Sequence, residues 1–203
     1  MLGHWHLTAD DPEFPTRALQ AAGFDQVECL TAMGSRALLH RARLALFCSR
    51  QCPGTLILQA HEWAAQSASG EPVIVSGFHT PVEQECLRLF RRGNRPVIVC
   101  PARGLDRFRI PTAYRGPIQA GTLLLLSPFD GAVRRATRAH AVQRNAWVAA
   151  LADQIIVIHA ATGGQTEQSC RAALAQGKAC FTFDHPANAH LIANGAQPLQ
   201  LRK

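Results

Sequence analysis

Six short apolar runs, separated by amphipathic stretches of helical length, constrain this chain more than any other feature. The runs are residues 42–48 (ARLALFC), 72–76 (PVIVS), 96–100 (PVIVC), 122–127 (TLLLLS), 154–160 (QIIVIHA) and 179–183 (ACFTF). They are continuous rather than alternating, which marks strands covered on both faces. Helical patterns lie at residues 55–66, 82–92, 139–152 and 167–176, and the glycines of RRG (91–93) and AQGK (175–178) close two of them. Strand, helix, strand at this spacing builds a parallel sheet with right-handed crossovers. The expected fold class is therefore α/β: a doubly wound, mostly parallel, Rossmann-like sheet with helices on both faces. It should occupy residues 42–203. Residues 1–41 are expected to form an N-terminal extension packing on that core, with a short helix at TRALQAAGF closed by Gly23. The stretch 101–121 holds three Pro, three Gly and four Arg without a clear period. It reads as a long ordered connection.

The chain of 203 residues suits one well-buried domain. No apolar run reaches the ~18 residues of a membrane span, and the first residues lack the pattern of a signal peptide. Seven cysteines is an odd number, and their spacing fits no zinc pattern. Reduced thiols, no metal and a cytoplasmic setting are expected. The formal charge of +7 is unevenly spread: residues 88–144 carry twelve Arg against two acids, Asp106 and Asp130. Arginine suits bidentate contact with phosphate or carboxylate and attraction to nucleic acid. A plain solvated basic face is the equal alternative.

In an open parallel sheet, ligands sit at the carboxyl ends of the strands. Here those ends read CSRQCPG, VSGFHTP, LSPFDG and HAATGGQT, each rich in small or polar residues. In the second, Thr80 as N-cap, Pro81 and Glu83 form a capping box before a helix, a structural role. Capping leaves Ser76, Gly77 and His79 unexplained; His79 either donates to an anion or lies at the surface. Gly163 and Gly164, with Thr166 opening a helix, fit an anion cradle or a simple tight turn. The sequence is not G-x-G-x-x-G, so a standard dinucleotide fingerprint is absent. Arg50 stands at the end of the first sheet strand beside Ser49, placed to clamp an anion. Arg144 and Asn145 lie at one end of an otherwise apolar helix.

At these residues the chain resembles the Rossmann-like core of the DprA/Smf DNA-processing family. The resemblance rests on Ser49-Arg50, on Val75-Ser76-Gly77, and on Arg144-Asn145 before a hydrophobic strand. It continues through Gly163, Gly164 and Thr166 to Asn188 and LIANGA, covering residues 42–196 in order. Where the family has Ala-Arg-Gly-Ile-Asp after Ser-Gly, this chain has Phe78-His79-Thr80-Pro81-Val82, without the Arg and Asp. The resemblance implies binding of single-stranded DNA, a homodimer and a role in DNA processing or uptake. Related phosphoribohydrolases use Gly-Gly-x-Gly-Thr-x-x-Glu; here Ser169 stands at the catalytic Glu, and Glu167 is out of register.

No acid–base pair, catalytic triad or metal cluster is legible. The expected function is noncatalytic binding of single-stranded DNA or a nucleotide phosphate at the strand ends, without a cofactor. The candidate ligand-binding residues are Ser49, Arg50, Ser76, Gly77, His79, Arg144, Asn145, Gly163, Gly164 and Thr166. The alternatives are an enzyme acting on a nucleotide or its ribosyl bond, and a module whose basic face meets an acidic partner.

Overall fold

The structure, a computed structural model, describes residues 3–68 and 70–199. The described chain runs β1 (Trp5–Thr8), α1 (Thr16–Ala21), β2 (Cys29–Gly34), a 3-10 turn (Arg36–His40), β3 (Arg43–Cys48) and α2 (Gly54–Gln66). There follow β4 (Val73–Ser76), α3 (Pro81–Arg92), β5 (Val97–Val99), α4 (Thr112–Gln119) and β6 (Leu123–Ser127). α5 (Arg138–Leu151), β7 (Gln154–His159), α6 (Gln165–Ala175), β8 (Ala179–Phe183), a 3-10 turn (Pro186–Asn188), α7 (Ala189–Ala193) and β9 (Gln197–Leu199) complete it.

All nine strands join one sheet in the order β1-β2-β6-β5-β4-β3-β7-β8-β9. From β6 to β9 every neighbouring pair is parallel, whereas β1–β2 and β2–β6 are antiparallel. The expected Rossmann-like α/β sheet is what forms, and the six expected strands are β3 to β8, each end within one residue. Burial on both faces explains why those runs are continuous. On β6, Leu124 and Leu126 pack into one core with α1, α5 and α6, while Leu123 and Leu125 pack into the other with α2, α3 and α4. The expected short helix is α1, which packs on α5. Ahead of β3, β1 and β2 add an antiparallel pair to the sheet edge.

The connection at residues 101–121 is more regular than its composition suggests. It contains α4, a helix of eight residues with Pro117 inside and Ile118 as its one buried side chain. A helix that short with one inward residue leaves no apolar period to read, and proline is disfavoured within helices. Strand β9 was hidden for a similar reason: it is three residues long and includes Pro198, tolerated because β9 lies at the sheet edge. No helix among the described residues is long and apolar enough to cross a membrane.

Candidate nucleic-acid interface

The parallel strands bring their carboxyl ends to one end of the sheet. From β3 the chain lays β4, β5 and β6 outward on one side, then returns to place β7 against the other side of β3. This reversal opens a crevice between the ends of β3 and β7, the usual ligand position in such a sheet. The β3–β7 register shifts between Phe47 and Cys48, an irregularity that re-aims the residues beyond it. Ser49 then ties the two strand ends together. Its N–H donates to the His159 carbonyl at 2.8 Å, and its Oγ accepts from the Ala161 N–H at 3.0 Å. Arg50 follows, exposed, with no hydrogen bond or ion pair among the described residues.

The turn after β7 supplies the Gly-Gly pair. Gly163 has φ +73°, a left-handed backbone that only glycine adopts cheaply. Gly164 is the N-cap of α6, and Thr166 lies in its first turn, half-buried. The Glu167 carboxylate, 2 % exposed, takes the Gly163 N–H at 2.5 Å. It also accepts from Asn194 Nδ2 at 3.2 Å and pairs with Arg171 at 2.7 Å. The Gly163 amide, burial notwithstanding, holds this carboxyl below its ordinary range, helped by Arg171. An amide offered by this turn is thus already taken by a side chain of its own helix.

The turn after β4 is built the same way. Thr80 Oγ1 accepts the Glu83 N–H and Glu83 accepts the Thr80 N–H, the expected capping box. Glu83 does more than cap. It is 1 % exposed, and its carboxylate also accepts the Cys48 N–H at 3.0 Å and the His79 N–H at 2.9 Å, binding α3 to the end of β3. Burial raises its pKa, but His79 and the amides of Thr80 and His79 outweigh that and hold the carboxyl low.

Above Glu83 lies Arg144, 2 % exposed although it belongs to α5. Its Nη1 donates to the Cys100 carbonyl at 3.1 Å, its Nε to Asn145 Oδ1 at 2.8 Å, and its Nη2 lies 2.9 Å from His79 Nδ1. His79 Nδ1 is also 3.1 Å from Glu83 Oε2. Unprotonated, it accepts from the guanidinium; protonated, it donates to the carboxylate. Gly77 is the floor of this arrangement: a Cβ there would stand 1.4 Å from Arg144 Nη1. Ser76, buried, turns its Oγ to accept the Phe78 N–H at 3.2 Å.

The structure therefore gathers the ten candidate residues into two groups joined by the Glu83–Cys48 bond. Ser49, Arg50, Gly163, Gly164 and Thr166 surround the β3–β7 crevice. Ser76, Gly77, His79, Arg144 and Asn145 form a polar cluster beside it, in which Ser76 and Arg144 are buried, Gly77 and Asn145 half-buried and His79 exposed; Arg144 and Gly77 contact each other, and Arg50 alone of the two arginines faces solvent. Glu83 and Glu167 are the organising residues that patterns undervalued. Each stands at the third position of its helix, a spacing that signals a cap but says nothing of partners elsewhere.

Comparison with known proteins agrees with the fold. The family model for DNA recombination-mediator protein A matches residues 5–202. Among solved structures, DNA processing protein A (DprA) from Streptococcus pneumoniae superposes with a TM-score of 0.78 at 22 % identity, covering 96 % of this chain and 70 % of that one. DNA processing protein A from Helicobacter pylori gives 0.74 at 22 % identity, with coverages of 95 % and 90 %. A molybdenum cofactor binding protein from Rippkaea orientalis gives 0.56 at 14 % identity, with 79 % and 90 % covered, and shares the fold. None of the curated proteins matches in sequence. With a match running from the first described strand to the last, the chain belongs to the DNA recombination-mediator protein A family.

Proposed function

We propose that this chain binds single-stranded DNA across the carboxyl ends of its parallel strands and acts in DNA processing as a binding protein. The observation that carries the reading is Arg50: an exposed guanidinium without an ion-pair partner among the described residues, at the β3–β7 switch point. The carboxylates beside it, Glu83 and Glu167, are turned inward and held by amides and cations. A polyanion approaching this edge meets the Arg50 guanidinium rather than carboxylate. The Helicobacter pylori relative, described for its single-stranded DNA binding mode, supports the same choice of ligand. A homodimer, implied by the resemblance to the DprA/Smf family, is part of this proposal, and sedimentation at micromolar concentration tests it.

Fluorescence anisotropy with a labelled oligothymidylate across a salt series tests the reading. Affinity should fall steeply with salt as neutralised phosphates release counterions. Arg50→Ala should weaken binding by about 1–3 kcal/mol, the worth of a charge-assisted contact. Arg92→Ala, on the exposed end of α3, should change affinity little. Absence of binding by the unaltered protein at low salt would defeat the proposal and leave a small nucleotide as the ligand to try.

A further inference from the structure

The loops after β5 and β6 meet in a small cleft of 140 Å³ lined by Arg103, Gly104, Arg107, Gly131 and Arg134. Three guanidinium-bearing residues converge there, and none of the three forms an ion pair among the described residues. Like charges gathered in one cleft repel unless an anion joins them. The two acids of the region, Asp106 and Asp130, form no ion pair with these arginines among the described residues. Asp130 Oδ1 accepts the Ala132 N–H at 2.7 Å, and Asp106 lies against Gly131, where a Cβ would meet its Oδ2 at 1.8 Å.

The cleft is also held in shape before any ligand arrives. Gly104 N–H donates to the Val133 carbonyl at 3.0 Å and Ser127 Oγ to the Arg103 carbonyl at 2.8 Å, zipping the two loops together. That closeness needs a glycine at position 104, because a Cβ there would stand 2.3 Å from the Asp130 carbonyl oxygen. The Arg103 guanidinium stacks 4.7 Å from the Phe108 ring centre and spends one donor on the Arg134 carbonyl at 3.4 Å. Its other donors are left for a ligand. At 140 Å³ the cleft is well below the ~300 Å³ at which pockets for drug-sized ligands begin.

We infer that Arg103, Arg107 and Arg134 form a phosphate-binding subsite, separate from the β3–β7 crevice, that takes a second phosphodiester of the same bound strand. From the β3–β7 boundary to the β5–β6 boundary is three strand spacings in the sheet, so the two positions are ~14 Å apart at ~4.8 Å per strand. A stacked strand covers that span in about four nucleotides at ~3.4 Å each. The inference rests on the proposed DNA binding for the source of the phosphate, not for the subsite itself. The subsite makes affinity depend on oligonucleotide length.

The test compares the unaltered protein, the Arg107→Gln/Arg134→Gln double variant and Arg92→Gln, using oligothymidylates of increasing length and inorganic phosphate. Both altered cleft residues are exposed, so the fold should tolerate the change. The double variant should bind the shortest oligonucleotides as the unaltered protein does and the longer ones about tenfold more weakly. Its salt slope on the longer ones should fall by ~0.7 for each phosphate that the cleft no longer neutralises. Inorganic phosphate should raise the melting temperature of the unaltered protein and of Arg92→Gln, and raise that of the double variant less. If no oligonucleotide binds the unaltered protein but the phosphate effect is reduced only in the double variant, the proposed function falls and the subsite stands, as a site for free phosphate or a phosphomonoester. If phosphate acts equally on all three proteins, or the double variant loses the same factor at every length, the subsite is overturned.

Discussion

Replacing Gly77 by alanine should destabilise this protein through a residue 67 positions away in the sequence. The added Cβ would lie 1.4 Å from Arg144 Nη1, 1.9 Å from Cζ and 2.7 Å from Nε. Gly77 is outside the left-handed region, so its backbone accepts alanine without strain. The guanidinium is the flexible end of a long side chain and can swing aside, so the cost is not steric overlap as such. It is the loss of what Arg144 was doing: the bonds to Cys100 O and Asn145 Oδ1 and the approach to His79 Nδ1 disappear together. The Cys100 carbonyl loses its donor in a buried position, at about 1–3 kcal/mol for such a group. With the remaining partners the expected loss is about 3 kcal/mol, or roughly 6–12 °C in melting temperature for a chain of this size. Urea denaturation of four proteins checks the origin of that loss: the unaltered chain, Gly77→Ala, Arg144→Ala and the double variant. Once Arg144 is truncated the clash is gone, so adding Gly77→Ala should cost less than about 0.5 kcal/mol, or stabilise slightly by restricting the unfolded chain. An undiminished cost in the Arg144→Ala background would refute the account of Gly77.

Acid should weaken the fold through Glu83 and Glu167. Both carboxyls are held below their ordinary value of 4.5, so their stabilisation is complete above that pH and is lost as pH falls through the lower folded values. A melting series from pH 7 to about pH 3 should fall steeply only at its acid end, and Glu83→Gln should be less stable at pH 7 with a flatter acid limb. Gly163→Ala should cost about 1–2 kcal/mol in chemical denaturation because of its positive φ, and Gly163→Asn, better tolerated in that conformation, should cost less. Thiol labelling of the native protein should reach Cys29 and Cys52 and spare the five buried cysteines, with all seven reacting after denaturation without reductant. A mass deficit from a Cys48–Cys52 disulfide in freshly purified protein would contradict this. Between the two accessible thiols, Cys52 should react faster near neutral pH, because hydrogen bonding with Cys48 lowers its pKa.

What the sequence determined by itself was the layered architecture and the end of the sheet at which to look. Strands such as Leu123–Ser127 are apolar at every position because helices cover both faces, and that demand is written locally, residue by residue. The capping box at Thr80–Glu83 was legible for the same reason: its partners lie three residues apart. The flanking pieces were not. β2 is stable as a strand only because β6 offers it a hydrogen-bonding edge, β1 because β2 does, and α4 is too short to carry a period of its own. The roles within the candidate site were decided by tertiary structure alone. Gly77 and Arg144 each read from the sequence as groups facing a ligand, yet the fold presses one against the other and buries Arg144. Arg50 and Arg144 are the same residue type at matching family positions, and only the packing of α5 over the β4 and β5 ends makes one a buried strut and leaves the other free. The physical reason is that a guanidinium's role is set by which carbonyls, carboxylates and water surround it. Those neighbours come from strands that are adjacent in the sheet and tens of residues apart along the chain.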